Sequence, residues 1–248
     1  MTTQSQRDTG GPEAESGQQD WFALELEGVL ELLGSEHGGL TDEEAAGRLK
    51  QYGPNLLPRR RPPSLPEILL RQFRSPLIYL LGIAAAVSLV IGEVKDAAFI
   101  LGVLLINAII GTVQEARAER ASQALQQLLR IRTAVRRSQR VLDVDAESLV
   151  PGDVVYLESG NRVPADIRLI AAHGLEIDES LLTGESLPVA KNADWSGDPG
   201  TALADRLNML HAGAMVARGR CHGVVVATGA KSAIGRLTLD VLGAEGGR

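Results

Sequence analysis

The sequence contains a single cysteine, Cys221, among 248 residues, which excludes an intramolecular disulfide. Nothing in its cysteine usage argues for an oxidising compartment, so a reduced cytoplasmic setting is expected. The first twenty residues are polar and acidic and contain no apolar stretch. We therefore expect no cleaved secretory signal, and we expect any insertion into a membrane to use internal segments.

Positive charge is scarce at the amino terminus. The net charge of the chain is -6, but residues 1–47 hold eleven acids against one base, Arg7, and carry -10 by themselves. The first basic cluster lies just before the apolar region, at Arg59, Arg60, Arg61, Arg71 and Arg74. This distribution does not fit a nucleic-acid-binding protein, so no nucleic-acid partner is expected. A basic cluster beside an apolar run instead favours the cytoplasmic face of a lipid bilayer, where anionic head groups attract arginine.

Common metal and nucleotide motifs are also missing. The stretch from Gly223 to Ser232 resembles a phosphate-binding loop, but Ala230 stands where the motif requires glycine before Lys-Ser. The four histidines show no spacing that would bring two metal ligands together: His37, His173, His211 and His222. We therefore expect no bound metal and no cofactor within this chain.

Two uncharged runs, Leu77–Gly92 and Ala97–Val113, predict a transmembrane hairpin over 75–113 with spans at 75–92 and 97–113. The runs are slightly shorter than the roughly 20 residues that cross a bilayer, so a soluble α+β protein with both runs in its core is the alternative. Basic residues at both outer ends indicate that both ends are cytoplasmic. Asn107 implies a partner helix, because an amide in hydrocarbon is tolerated when it faces another helix.

The remaining patterns predict an α+β protein. Residues 1–19 are too polar to fold and are expected to be a disordered tail. A helical segment over 20–58 follows, in which Thr41 and Glu44 form a capping box. After the hairpin we expect a linker helix over 114–130 and a compact β domain over 131–230, whose short strands include 166–171 and 223–227. Residues 231–248 have helical spacing and are expected to begin a linker to a third membrane helix.

The segment Ile177–Lys191, which contains Thr183-Gly184-Glu185-Ser186, resembles the actuator-domain signature of the P-type ATPases. The resemblance covers about residues 20–240, and its upstream part is similar to the type II, calcium-pump-like members of the family. It implies a helical hairpin and a small distorted jelly-roll-like β domain on which the amino-terminal helices pack. The other matching segments occur in the family's order: Gly39-Leu-Thr41, Tyr52-Gly-Pro-Asn55, Ser75-Pro-Leu77, Ile106-Asn107-Ala108, Gln114-Glu115, Leu149-Val-Pro-Gly-Asp153, Val163-Pro-Ala-Asp166 and Val226-Ala-Thr-Gly229.

The resemblance also implies a catalytic loop. Pumps of this family pass phosphate from ATP to an aspartate and then hydrolyse the acyl phosphate. In that reaction Glu185 would position the attacking water and accept its proton, and Thr183, Gly184 and Ser186 would shape the loop. From composition alone, these acids and their neighbours Asp178 and Glu179 would be solvated loop residues. Two departures, Asn161 for an acid and Ala214 for threonine, lie outside this loop.

The implied partners belong to a complete pump. They are the lipid bilayer, the phosphorylation, nucleotide and remaining membrane domains, the transported cation, and ATP with Mg²⁺. The chain itself contains no Asp-Lys-Thr-Gly-Thr phosphorylation motif, so it is expected to be inactive alone. An integral protein of the plasma membrane, with both termini and the actuator domain cytoplasmic, is expected. The alternative is a membrane-anchored binding or regulatory module without catalysis.

Overall fold

The computed structural model describes residues 19–58, 64–72, 76–128, 131–184 and 187–246. The chain divides into two compact units. The β unit comprises Met1–Pro58 and Ile131–Arg248, and the helical unit comprises Arg59–Arg130. The helical unit is thus an insertion in the sequence of the β unit. The predicted disordered tail lies, except for residue 19, outside the described residues.

The β unit is built on one antiparallel sheet, to which seven strands in the described part of the chain contribute. The strand order is β2-β1-β3-β7-β4-β5, and β6 pairs separately with β4. The sheet and the surrounding helices confirm the predicted α+β class. The strands are β1 (Arg132–Arg137), β2 (Arg140–Asp145), β3 (Val154–Glu158), β4 (Asp166–Asp178), β5 (Val189–Ala190), β6 (Met209–Leu210) and β7 (Met215–Ala227).

Large aliphatic side chains form the main core under this sheet. Val155 and Leu157 on β3, and Ile167 and Leu169 on β4, are two residues apart and therefore point to the same face. Cys221 on β7 lies in the same core. Burial raises the pKa of its thiol to about 12, so this cysteine is an apolar packing residue and not a nucleophile.

The two long strands, β4 and β7, are irregular where they pair. Their register shifts between His173 and Glu176, next to Gly174, which has a φ of +56°. On β7, Gly219 has a φ of +85°, and a Cβ atom there would lie 2.2 Å from the Gly174 carbonyl oxygen. The backbones approach closely at this bulge, so glycine is required. The sequence predicted short strands over 166–171 and 223–227, whereas both strands run through the bulge.

The amino-terminal helices, α1 (Leu26–Leu32) and α2 (Asp42–Tyr52), belong to the β unit. Phe22 and the α1 residues Val29 and Leu30 are buried in a second apolar cluster with Met209, Val224 and Val226 of the sheet. The Asn208 amide also donates to the Phe22 carbonyl oxygen at 2.8 Å. These contacts confirm that the amino-terminal helices pack on the β domain.

The predicted capping box at the start of α2 is confirmed. The Thr41 hydroxyl accepts a hydrogen bond from the Glu44 backbone N–H, and the Glu44 carboxylate accepts one from the Thr41 N–H at 2.8 Å. Farther along α2, the Arg48 guanidinium donates to the Pro151 carbonyl oxygen at 2.8 Å. This contact ties α2 to the turn before β3.

The helical unit contains α3 (Leu65–Gln72), α4 (Pro76–Ile91) and α5 (Val94–Leu128). Helix α5 begins at Val94. The segment Glu93–Asp96, which was expected to connect the two spans, is therefore mostly helical. Helix α5 continues past Val113 without a break, so residues 114–128 of the linker helix expected over 114–130 belong to it. Residues 129 and 130 lie outside the described residues. Among the described helices, only Val94–Ala121 of α5 is long and apolar enough to cross a membrane, and the apolar Ile78–Ile91 of α4 is shorter.

Small residues contribute to the contact between the helices of this unit. Ala85 on α4 and Ala97 and Ala108 on α5 are buried, and so are three larger residues, whereas most other large apolar side chains of α4 and α5 are exposed. The three larger buried residues are Ile68, Ile78 and Leu104. Asn107 is exposed as well, so α4 does not cover the amide for which the sequence predicted a partner helix. At the polar end of the unit, Arg71 on α3 forms an ion pair with Glu115 on α5 at 3.2 Å.

Candidate functional site

The loop that contains the predicted catalytic residues follows β4 and begins with the short helix α6 (Ser180–Thr183). Thr183 is half-buried, and its hydroxyl donates to the Glu179 carbonyl oxygen at 3.2 Å. Gly184 follows it and is exposed. Glu185 and Ser186, predicted to position water and to shape the loop, lie outside the described residues. Of the four predicted site residues, the structure therefore places Thr183 and Gly184.

Gly184 ends α6 in the left-handed conformation, with φ +76° and ψ -2°. Its backbone N–H donates to the Ser180 carbonyl oxygen at 3.0 Å, which closes the helical turn. A side chain in this conformation is strained, which explains the glycine. Apart from its chain neighbours, no atom of the described residues lies within 4 Å of the position where a Cβ atom would be. The described part of the chain therefore leaves the backbone at Gly184 open.

Glu179, the residue before α6, holds the loop at both of its ends. Its carbonyl oxygen accepts hydrogen bonds from the backbone N–H groups of Leu182 and Thr183, at 2.8 and 3.0 Å. Its carboxylate oxygens lie 2.8 and 2.9 Å from Nζ of Lys191, which follows β5 at the far end of the loop. Both side chains are buried, so Glu179 is not the solvated loop acid that composition alone suggests.

Asp178 differs from its buried neighbour. Its carboxylate accepts a hydrogen bond from the Ser180 backbone N–H at 2.9 Å. Hydrogen bonds from the Ser180 hydroxyl and N–H hold the pKa of Asp178 below its usual range, so it is ionised at neutral pH. Asp178 therefore stabilises the first turn of α6, as an acid at a helix amino terminus does.

Asp166, at the start of β4, anchors a different part of the unit. One carboxylate oxygen accepts from the Ala212 N–H at 3.0 Å, and the other accepts from the Ala233 N–H at 2.7 Å. Ala233 is the first residue of α7 (Ala233–Gly246), which lies within the segment of helical spacing predicted over 231–248. A buried carboxylate thus fixes the start of the last helix to the same strand that leads to the loop.

Asn55 lies where three segments of the β unit meet. Its amide donates to the carbonyl oxygens of Ala146 and Pro164, at 3.0 and 2.9 Å, and its Oδ1 accepts from the Gly229 N–H at 2.8 Å. Ala146 in turn donates its N–H to the Ile131 carbonyl oxygen, where the chain re-enters the unit. The points where the chain leaves and rejoins the β unit are therefore connected by Asn55.

The two departures from the family pattern have local structural roles. The Asn161 side-chain oxygen accepts a hydrogen bond from the Glu158 N–H at 3.1 Å and closes the turn after β3. Ala214 is buried, and its carbonyl oxygen accepts from the Val163 N–H at 2.8 Å. Neither residue is on the loop that contains Thr183 and Gly184.

The sequence interpretation assigned no role to the Glu179–Lys191 pair. Both residues lie inside the recognised segment Ile177–Lys191, but they are twelve positions apart in an irregular stretch. Helical or strand periodicity connects residues two to four positions apart, so it gives no signal for such a contact. The only available signal was a lysine placed directly after two apolar residues, which is too common to single out.

Two protein-family models match the chain in the regions described above. The family model described as the P-type ATPase actuator domain matches residues 127–242. The family model described as the cation transporter/ATPase N-terminus matches residues 21–88. The first match covers the sheet, the loop and most of α7. The second covers the amino-terminal helices and continues into the helical unit.

Complete proteins with similar sequences are ion-transporting ATPases. A probable cation-transporting ATPase F of Mycobacterium tuberculosis is 44% identical over 217 residues, which is 88% of this chain and 24% of the relative. A calcium-transporting ATPase 1 of Bacillus cereus is 39% identical over 223 residues, covering 88% of this chain and 25% of the relative. A sodium/potassium exporting P-type ATPase of Schizosaccharomyces pombe is 38% identical, with 84% and 20% covered. The chain spans about a quarter of the length of these relatives.

Proposed function

Because the chain belongs to the P-type cation-transporting ATPases, as its actuator and amino-terminal domains show, we propose that it is the amino-terminal part of an ATP-driven cation pump. In this role the β unit promotes hydrolysis of an aspartyl phosphate carried by another domain. Hydrolysis of that intermediate is coupled to movement of the cation across the membrane. The partners are the phosphorylation, nucleotide and remaining membrane domains of the same pump.

The observation that carries this proposal is the form of the loop at Thr183 and Gly184. The loop follows the end of β4, its glycine is in a left-handed conformation, and no described residue other than its chain neighbours fills the space beside that glycine. Leu181 and Leu187, on either side of it, are 63% and 79% exposed. An exposed apolar rim around an accessible backbone favours docking against a second protein surface.

The proposed chemistry assigns the central step to Glu185. A water oxygen attacks the phosphorus of the aspartyl phosphate, the bond from phosphorus to the aspartate oxygen breaks, and the aspartate leaves as a carboxylate. The Glu185 carboxylate accepts the proton that the water loses, and inorganic phosphate is released. The neighbouring Gly184 permits close approach of the loop backbone to the phosphoryl group.

ATP and Mg²⁺ enter this proposal only through the complete pump. Among the described residues, no group of three His, Cys, Asp or Glu side chains could hold a metal ion. The donors for Mg²⁺ and ATP are therefore proposed to lie in the domains of the relatives that this chain does not cover. When bound there, ATP supplies the phosphoryl group that the aspartate receives. The residues of this chain act afterwards, on the acyl phosphate.

The helical unit is proposed to anchor the β unit in the plasma membrane. The apolar stretch of α5, Val94–Ala121, and the exposed apolar side chains of α4 and α5 support this location. The arginines before α4 and those in the second half of α5, Arg117 and Arg120, favour a cytoplasmic position for both ends of the hairpin. The β unit, which is joined to both ends, would then be cytoplasmic.

The test uses a chimera in which this chain replaces the matching quarter of the Bacillus cereus calcium-transporting ATPase 1. The chimera is phosphorylated with radiolabelled ATP, and decay of the acid-stable phosphoenzyme is followed after a chase with unlabelled ATP. Glu185→Gln is expected to slow the decay by roughly 100-fold or more, because the proton acceptor is lost. Glu158→Gln, at an exposed position on β3, is the matched control and should leave the decay unchanged.

Two outcomes would contradict the proposal. The first is a chimera that carries Glu185→Gln and hydrolyses its phosphoenzyme at the unmodified rate. The second is formation of an acid-stable acyl phosphate from ATP by this chain alone, since the phosphorylated aspartate is proposed to lie elsewhere.

A further inference from the structure

Glu179 and Lys191 form an ion pair that is almost completely buried. The side chains of Lys191 and Glu179 are 0% and 2% exposed. Nζ lies 2.8 and 2.9 Å from the two carboxylate oxygens and 3.3 Å from the Arg206 carbonyl oxygen. The ammonium group therefore contacts three oxygen atoms of the described residues in a buried position.

Burial of this pair has an energetic cost. Two charges lose their hydration when they enter the protein interior, and apolar side chains of similar volume at such sites often give equal or higher stability. The burial is strong enough to lower the pKa of Lys191, against the opposing effect of the Glu179 charge. Stability alone therefore does not explain the pair.

The position of the pair indicates what it holds. Glu179 lies directly before α6 and Lys191 directly after β5, so the contact closes the loop between them. The Lys191 backbone N–H also donates to the Leu175 carbonyl oxygen at 3.0 Å, which fixes this end of the loop to β4. At the other end, the Glu179 carbonyl oxygen accepts from the N–H groups of Leu182 and Thr183. One residue thus joins the ion pair to the turn that ends at Gly184.

Apolar packing contributes little to the outer part of the loop. Leu181 and Leu187 are largely exposed, and β5 pairs with β4 over only Val189 and Ala190. A loop with so few buried apolar contacts opens easily unless polar contacts hold its ends. The Glu179–Lys191 pair is the buried polar contact at those ends.

We propose that Glu179 and Lys191 are a positioning pair, which holds the turn at Thr183-Gly184 in the orientation required when the loop meets an aspartyl phosphate. The catalytic consequence of this inference rests on the proposed function. The structural consequence, that the pair holds the turn, does not. The pair acts through the turn and touches no reacting atom. Removing the pair should therefore loosen the turn without unfolding the sheet.

The structural test measures amide hydrogen exchange of the whole chain in lipid nanodiscs. The double variant Glu179→Leu/Lys191→Met replaces the ion pair with apolar side chains and avoids an unpaired buried charge. We expect exchange at Leu182, Thr183 and Gly184 to be roughly tenfold faster or more, with unchanged exchange in β3 and β7. The control variant Glu176→Gln removes an exposed ion pair with Arg218 on the same sheet, and it should not change exchange in the loop.

A second variant separates the effect of the pair from that of the substitution itself. The reversed pair Glu179→Lys/Lys191→Glu restores a charge contact and should recover at least part of the protection of the loop. The proposal is overturned if the apolar double variant keeps the exchange rates of the unmodified loop. It is also overturned if β3 and β7 lose protection to the same extent as the loop, since the pair would then act only on global stability.

The catalytic consequence is tested in the same chimera by phosphoenzyme decay. The apolar double variant should slow the decay roughly tenfold or more and cause no additional slowing when combined with Glu185→Gln. If decay is insensitive to Glu185→Gln, the proposed function fails, yet the exchange result for the loop still stands. If decay is sensitive to Glu185→Gln but not to loss of the pair, the positioning role fails and the proposed function remains.

Discussion

The β unit and the helical unit differ in how much of their large apolar side chains they expose. In the β unit, the residues with no exposure include large aliphatic ones such as Ile167, Leu169 and Ile177. In the helical unit, Ile78 and Leu104 are buried, as is Ala97, but most of the large apolar side chains are exposed, such as Val90 at 87% and Phe99 at 74%. In water, association is driven by removal of large apolar surfaces from the solvent. In lipid that driving force is lost, so the exposed apolar surface of α4 and α5 supports the proposed membrane location of the hairpin.

The largest expected difference between the units concerns their ion pairs. Arg137 contacts Asp153 through two hydrogen bonds of 2.8 and 2.7 Å, and the Asp153 side chain is fully buried. Arg137→Met should destabilise the β unit by about 3–5 kcal/mol, because the buried Asp153 carboxylate loses its charged partner and keeps only the hydrogen bond from the Val150 N–H. Arg71→Met, which removes the exposed pair with Glu115 in the helical unit, should cost about 1 kcal/mol or less.

Denaturant unfolding of the chain in detergent, followed by tryptophan fluorescence, measures the first effect directly. Both tryptophans, Trp21 and Trp195, pack in the second apolar cluster of the β unit and therefore report on that unit. The Arg71 variant is compared by hydrogen exchange of α3 and α5. Equal losses from the two arginine substitutions would remove the contrast between the units.

A smaller effect is expected from shortening a large aliphatic side chain. Ile167→Ala should lower the free energy of unfolding of the β unit by about 2–5 kcal/mol, because it leaves a cavity in a close-packed core. Ile106→Ala, on the exposed surface of α5, should leave the same fluorescence transition within about 0.5 kcal/mol. The comparison would fail if truncation of Ile106 were as costly as truncation of Ile167.

The smallest effect is expected from enlarging a small residue in the contact between α4 and α5. Ala97→Leu should destabilise the hairpin by about 1–3 kcal/mol, because there is no space for the added atoms. Hydrogen exchange of α4 and α5 in nanodiscs should accelerate, while the tryptophan transition of the β unit stays unchanged. Phe99→Leu at the exposed surface is the matched control. Faster exchange in the control but not in Ala97→Leu would show that the small residues do not form the contact.

The sequence predicted the elements that have strong local signals. Thr41 and Glu44 gave the start of α2, and the two apolar runs gave α4 and the first part of α5. The four residues between these runs, Glu93–Asp96, were expected to form a loop. Most of it is helical, because Asp96 lies in the first turn of α5, where an acid stabilises the helix amino terminus.

Other elements lacked such signals. The hairpin between β1 and β2 turns at Ser138 and Gln139, which have φ values of +48° and +61°. Two-residue turns of this kind usually contain glycine or asparagine, and the central residues of β2 are exposed, so no local signal predicted this strand. Strand β4 was predicted too short, since the bulge at Gly174 interrupts its alternation without ending it.

The candidate site was predictable as a segment but not as a geometry. Thr183 and Gly184 were identified through the family signature, and the structure adds the left-handed glycine and the open space beside it. The contact of Glu179 with Lys191 depends on how an irregular loop returns to the sheet. No local propensity encodes that return, because it is set by tertiary packing around β4 and β5.

The burial of Cys221 has a practical consequence for labelling. With a pKa of about 12, its thiol is almost entirely protonated at neutral pH and should react slowly with maleimides. A cysteine introduced at an exposed position such as Leu187 could then carry a single fluorophore or spin label without removal of the native residue. The loop could be observed spectroscopically in a chain whose core is left intact.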